Sequence, residues 1–274
     1  MTALALEDAH LWYETAGEGR SLVFVHGGWL DGTAWQPQVE RFAREYRVVT
    51  LDVRGHGRTG ATDRGRYSIE LFTDDLEALC AHLGLERPIL CGLSLGSMVV
   101  QEFCARHPDR AAGAILAGAL RSMPPVDLPP GAKPFLSPTP ALSASLSVAG
   151  PRATFRSLLG AVRATTGRRW LSVDPSVRAS AMNAVGDVPR SEFRKVFDAL
   201  YRYDPPALDG VTTPTLVIHG DHETPLVDSQ GAEIARAVDD GRRLVLENAG
   251  HLVNQDRPGA FNDASATFLE SLPP

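Results

Sequence analysis

The stretch Ile89-Leu-Cys-Gly-Leu-Ser-Leu-Gly96 decides how the rest of the chain is read. An apolar run of strand type stops at Gly92, a serine follows two residues later, and a second glycine opens an apolar helical pattern. Gly-X-Ser-X-Gly between a strand and a helix describes a sharp turn that lifts Ser94 out of a sheet at strained backbone angles. The two flanking positions hold almost no side chain because the turn is crowded. Taken alone, the pattern also fits an ordinary Gly/Ser turn, so its surroundings must carry the reading.

Working outward, Pro88 to Leu93 is the strand of this turn, Gly96 to His107 its helix, and Ala112 to Ala117 the next short strand. Upstream, His10 to Glu14 and Ser21 to His26 read as strands, the second running into Gly27-Gly28-Trp29. Trp35 to Tyr46 suits a helix, and Arg47 to Leu51 a buried strand that ends in Asp52-Val-Arg-Gly-His-Gly57. Tyr67 to Leu83 places Ile69, Phe72, Leu76, Leu79 and Leu83 at helical spacing, with Ser68 as N-cap and Gly84 as stop. Downstream, Thr213 to Gly220 is a strand followed by Asp221-His-Glu-Thr-Pro225, and Leu226 to Val238 a helix. Arg243 to Leu246 is a short strand, Asn248 to His251 a loop, and Phe261 to Leu272 a closing helix.

Steady strand–helix alternation implies right-handed crossovers, hence an α/β fold with a mostly parallel central sheet and helices on both faces. Ligands of such sheets sit at the carboxyl ends of the strands. Gly27-Gly28, Asp52 and Ser94 all fall there.

The texture changes between residues 121 and 205. Met123 to Pro140 contains prolines at 124, 125, 129, 130, 134, 138 and 140, which argue for an extended loop and against a helix. Helical patterns resume over Thr154 to Trp170, Pro175 to Val185 and Arg190 to Tyr203. With no strand signal, residues 121–205 read as a helical cap inserted into a core made of residues 1–120 and 206–274. Phe155, Leu158, Leu159, Val162, Trp170, Phe193, Phe197 and Tyr201 are too apolar for a disordered linker.

At 274 residues and 43% hydrophobic, the chain suffices for an enzyme-sized unit with a sizeable core. Its net charge is −6 and its basic pairs, Arg168-Arg169 and Arg242-Arg243, are isolated, which argues against nucleic acid or an anionic membrane as partner. Met1 to Asp8 has no basic region leading into an apolar one, and no apolar run approaches the ~18 residues of a membrane span, so a cytoplasmic chain is expected. Cys80, Cys91 and Cys104 form no Cys-X-X-Cys and lie in apolar patterns, as buried free thiols do.

Serine is a poor nucleophile at neutral pH, so Ser94 needs a base, and the base needs an orienting carboxylate. His251 follows the last strand and Glu223 follows the strand ending at Gly220, which puts both on the edge that carries Ser94. The chain order Ser94, Glu223, His251 is the nucleophile–acid–base order of α/β-hydrolases.

Over nearly its whole length the chain resembles the α/β-hydrolase superfamily, through His26-Gly27-Gly28-Trp29, Asp52 to Gly57, Gly92 to Gly96, Gly220-Asp-His-Glu223 and Ala249-Gly-His251. The resemblance implies Ser94 as nucleophile, His251 as general base and then acid, and Glu223 as the carboxylate that holds the imidazole tautomer. It implies oxyanion donors at the backbone N–H of Gly28 and of Leu95. One departure bears on the acid. The family pattern is Gly-X-X-Asp, whereas Glu223 stands in the fourth position here and Asp221 two residues earlier, as a loop cap or as the alternative acid.

His56 is expected to shape its turn and not to act as a base. His219 and His222 lack further ligands at metal-site spacing, so no metal is expected, nor any other cofactor. Trp29 and Trp170 are read as substrate-binding walls, and Phe135, Phe193 and Tyr201 as further side chains of the chamber or of the cap's own packing. The expected activity is hydrolysis of a small-molecule carboxylic ester or lactone through an acyl-enzyme. Serine in place of aspartate disfavours the family's dehalogenase and epoxide-hydrolase chemistry. The alternatives are a C–C bond hydrolase or perhydrolase on the same residues, a small-molecule receptor with little turnover, and a cofactor-free oxygenase.

Overall fold

A computed structural model describes residues 2–123 and 137–273. Its centre is an eight-stranded sheet in the order β1-β2-β4-β3-β5-β6-β7-β8. The strands are β1 Ala3–Ala5, β2 His10–Ala16, β3 Arg20–Val25, β4 Tyr46–Leu51, β5 Ile89–Leu93, β6 Gly113–Ala117, β7 Thr215–Gly220 and β8 Gly241–Leu246. β1 and β2 pair antiparallel with each other, β2 does so with β4, and every other pairing is parallel. The central strands β5 and β6 are buried along their whole length, and accordingly read as unbroken apolar runs in the sequence.

Helices α1 Gln36–Phe42, α2 Ile69–His82 and α3 Leu95–Arg106 connect the first half of the parallel strands. α7 Pro225–Ala237 connects β7 to β8, and α8 Val253–Asp256 and α9 Pro258–Ser271 follow the last strand. Ser68 caps α2 by accepting from the Leu71 N–H, the role its position implies. Between β6 and β7 lie α4 Thr139–Thr166, α5 Pro175–Asp187 and α6 Arg190–Arg202. They cover the carboxyl edge of the sheet: the Tyr67 hydroxyl donates to Glu192 at 2.5 Å, and Phe193 stacks on Trp29 at 4.5 Å.

The structure departs from the sequence reading in four places. β1 pairs across a three-residue register, too short to leave an alternation signal. The helix expected over Trp35 to Tyr46 is only seven residues, preceded by a 3-10 turn over Gly32–Trp35, and Tyr46 already belongs to β4. The third is α4, which starts at Thr139 inside the proline-rich stretch, with Pro140 in the first turn where its missing N–H costs nothing. α4 breaks at Gly150 (φ 78°), ahead of Pro151, and stops at Gly167, a left-handed cap. Its first half is Ser-rich, and Leu142 and Leu146, both buried, were the only helical signal there. The short helix α8 is the fourth. The remaining prolines of the expected loop, at 124, 125, 129, 130 and 134, lie outside the described residues, as does Phe135.

The three cysteines are buried and free, and burial pushes the Cys80 and Cys104 thiols up to about 12. Among the described residues, no helix is long and apolar enough to cross a membrane.

Candidate active site

Ser94 stands between β5 and α3 at φ 52° and ψ −112°, a backbone conformation that side chains of L-residues rarely adopt. Such strain costs on the order of 1–3 kcal/mol and persists only where its surroundings enforce it. They do so through contact. A Cβ at Gly92 would lie 2.2 Å from the Gly96 carbonyl oxygen, and one at Gly96 would lie 2.1 Å from that of Val25. Both glycines are therefore required by backbone packed on backbone. The Ser94 carbonyl accepts from the N–H groups of Ser97 and Met98 and from the Ser97 hydroxyl at 2.6 Å, which ties the turn to the first turn of α3.

Opposite Ser94, the β3 loop runs from His26 to Trp29. His26 is fully buried and accepts at Nε2 from the Val53 N–H at 2.9 Å, joining this loop to the one after β4. His56 accepts at Nε2 from the Trp29 N–H at 2.8 Å, while its Nδ1 donates to the Arg54 carbonyl at 2.9 Å. That pattern requires a neutral ring, and His56 thus shapes the turn, as the sequence suggests. The Trp29 amide is consumed. The neighbouring Gly28 N–H has no partner among the described residues, and Leu95, as the first residue of α3, has no intrahelical acceptor for its own. Gly28 and Leu95 are neighbours in space: a Cβ at Gly28 would sit 3.7 Å from the Leu95 side chain.

Arg54, 3% exposed, holds the same loop from below, bonded to both Asp75 oxygens (2.5 and 2.8 Å) and to Asp8. Asp52 accepts from the N–H groups of Gly32 at 2.7 Å and Arg58 at 2.8 Å. It is a brace between loops.

Burial pushes His56 down to about 3, and lowers His26 and His219 for the same reason. All three titrate near 6.5 when unfolded, so below that pH the unfolded chain binds protons that the folded chain refuses. Stability is then complete above 6.5 and falls with pH, for His56 down to about 3, by up to about 1.4 kcal/mol per pH unit per histidine. Thermal melts stepped from pH 7.5 to 4.5 should show a falling Tm, and His56→Gln should flatten that fall.

On the other side of Ser94, Glu223 follows β7 and His251 follows β8. The His251 Nδ1 lies 2.8 Å from Glu223 Oε2, with the two side chains 5% and 1% exposed. The other carboxylate oxygen, Oε1, accepts from the Trp170 indole N–H and, at 3.1 Å, from the Thr224 N–H. Asp221 does not reach the imidazole. Its Oδ1 accepts from the Ala249 N–H at 3.0 Å, and though slight burial pushes its carboxyl up, amide donors at Ala249 and Asn248 hold it below its ordinary value. Asp221 is the clasp of the loop that presents His251.

That loop is also gripped by the segment after α4. The Trp170 carbonyl accepts from the His251 N–H at 2.7 Å, the Leu171 carbonyl accepts from the Leu252 N–H at 3.0 Å, and the Trp170 ring lies 4.7 Å from the imidazole. A side chain at Gly250 would meet the Trp170 carbonyl at 2.5 Å, and one at Gly118 (φ 51°) would meet His251 Nδ1 at 2.9 Å. Gly118, directly after β6, escaped the sequence reading. A glycine immediately past a central strand, on the edge already carrying Ser94, was the available signal.

A cavity of about 450 Å³ opens over these groups. Gly28, Trp29, Ser94, Trp170 and His251 line it, with Phe155, Leu158, Val162 and Tyr201 from the helices above. Trp29 serves two purposes, as a wall of the cavity and as a packing surface for Phe193 and Phe155. Phe193 is fully buried in that stack. His219 is sealed inside the sheet against Gly231.

A serine on a strained strand–helix turn and a carboxylate-bonded histidine thus line one cavity over a mostly parallel sheet. Residues 20–258 match the family described as alpha/beta hydrolase fold, and the chain belongs to that family. A thermophilic esterase from Thermogutta terrifontis superposes with a TM-score of 0.79 at 25% identity, covering 98% of this chain and 96% of its own. The enol-lactonase from Burkholderia xenovorans LB400 gives 0.78 at 26% identity, covering 96% and 97%. A putative non-heme chloroperoxidase of Synechocystis is 26% identical, covering 95% of each chain.

Proposed function

We propose that the protein is a cofactor-independent serine hydrolase that opens a small carboxylic ester or lactone through an acyl-enzyme. The observation that carries this reading is the cavity lined by both Ser94, at φ 52°, and His251, whose Nδ1 is bonded to Glu223. His251 accepts the Ser94 proton at Nε2 as the hydroxyl oxygen attacks the carbonyl carbon. The Glu223 carboxylate fixes the tautomer with Nδ1–H pointing away from the serine, and stabilises the imidazolium. Gly28 and Leu95 amides receive the oxyanion, each donor contributing ~10²- to 10³-fold in rate. The imidazolium then protonates the leaving alkoxide, the neutral ring activates water, and the second collapse releases the acid and restores Ser94.

Trp170 enters as a positioning residue: its indole N–H and the Thr224 amide occupy the second Glu223 oxygen, leaving the first for His251. Residues 121–205 act as a cap on a core of 1–120 and 206–274. A chamber walled by Trp29, Phe155, Leu158 and Val162 suits an apolar acyl group, since an ionised one would lose its hydration there without a partner.

A screen of p-nitrophenyl esters of graded chain length and of acyl lactones tests the reading. Each added methylene should raise kcat/KM by up to about fourfold, the equivalent of ~0.8 kcal/mol, until the chamber is full. A stoichiometric burst without turnover would instead mark a receptor. Similarity to a chloroperoxidase favours one second reading, perhydrolysis, in which hydrogen peroxide replaces water in opening the acyl-enzyme. Peracid formed from acetate and peroxide, in the absence of ester turnover, would select it.

A further inference from the structure

A second cavity, of about 630 Å³, lies on the other side of the α4–α5 pair. Arg152, Arg156, Arg163, Arg168, Arg169 and Arg178 line it, and its lining contains no carboxylate. In a chain of net charge −6 this is a pronounced segregation of sign. Arg152, Arg156 and Arg163 are spaced i, i+4, i+11, which places them on one face of α4, while Phe155, Leu158 and Val162 lie on a neighbouring face and line the other cavity.

None of the six forms a salt bridge with a carboxylate among the described residues, although Arg178 lies near enough to Asp174 for its charge to help lower that carboxyl. Arg156, Arg163 and Arg169 have no hydrogen-bond or ion-pair partner among the described residues. Arg152 donates to the Met182 carbonyl and the Asn183 side chain, Arg178 to the Ser172 carbonyl, and Arg168 to the carbonyls of Asp221 and Glu223. Those acceptors are neutral, so these hydrogen bonds fix the guanidinium groups without cancelling their charge. Six guanidinium groups around one concavity give it a positive potential that favours an anion within it.

We infer that this cavity is a binding site for a small polyphosphate-bearing anion. Guanidinium forks match phosphate oxygens bidentately, and adjacent phosphates supply several charges within the span of one small group. The concave shape favours a small molecule over the flat face of an acidic protein or a membrane. Leu159, Trp170 and Met182 offer an apolar patch beside the charges for the organic part of such a ligand. The site is distinct from the catalytic chamber but shares Trp170 and Leu171 with it. It does not depend on the hydrolase reading.

Isothermal titration at constant ionic strength with sodium pyrophosphate and with ADP tests it. Saturable micromolar binding of one of them is expected, weakened at least about tenfold in each of Arg156→Ala and Arg163→Ala, and about a hundredfold in the pair. Both residues are exposed and partnerless, so the variants should keep the parental Tm and the parental ester turnover. Tighter binding of ADP would assign the organic phosphate as the ligand, and tighter binding of pyrophosphate the free anion. Failure of both to saturate by about 10 mM, or undiminished binding in the double variant, would overturn the site. Binding of polyglutamate without binding of pyrophosphate would overturn it too, in favour of an acidic protein.

Discussion

Replacement of Ser94 by alanine is expected to lower kcat toward the best ester by roughly 10⁴- to 10⁶-fold and to abolish labelling by a fluorophosphonate. The effect should be confined to chemistry, because the Ser94 hydrogen bonds are made by its backbone: its carbonyl accepts from Ser97 and Met98, and its N–H donates to the Ala117 carbonyl. Alanine keeps all of these. Relief of the hydroxyl in a cavity wall leaves the melting temperature within a few degrees of the parent. Mass spectrometry of the labelled protein checks the assignment directly. Labelling of Ser94→Ala at the parental rate, or parental turnover, would remove Ser94 as nucleophile.

The second large effect separates two carboxylates. Glu223→Gln should lower kcat by roughly 10³- to 10⁴-fold, since an amide at 2.8 Å from His251 Nδ1 neither balances an imidazolium nor fixes one tautomer. Asp221→Asn should stay within about tenfold of the parent, because its Oδ1 accepts only main-chain amides and asparagine keeps that acceptor. Steady-state kinetics on both variants, with melting temperatures measured alongside, decide the matter. The reverse ranking would make Asp221 the acid, and would mean that the 2.8 Å contact of Glu223 is structural.

The reason for that contact is a matter of reach. Glu223 stands two residues after Asp221 in the loop that leads into α7, and its longer side chain meets the imidazole while the Asp221 carboxylate accepts from the Ala249 N–H. Trp170 then occupies the remaining oxygen. The Glu223 carboxylate thus joins His251, its own loop and the segment after α4. The same segment donates from Arg168 into the carbonyls of Asp221 and Glu223, which ties that loop to the arginine-lined cavity.

The order of strands and helices was legible in the chain because burial leaves a periodic trace: β3, β5, β6 and β7 read as continuous apolar runs, and α2 as a 3.6-residue stripe. The position of Ser94 was legible because its turn excludes side chains at Gly92 and Gly96, a constraint that a sequence must show. Order along the chain likewise placed His251 and the Asp221–Glu223 pair at strand ends. Three features were decided by tertiary structure alone. Only folding selects which of two nearby carboxylates meets His251, for the difference is a few ångströms of loop path and one methylene. Only folding brings the Trp170 indole to Glu223, 53 residues away. And only folding gathers arginines from α4, the segment after it and α5 into one cavity, since periodicity records which face of a helix is buried and carries no record of what that face meets.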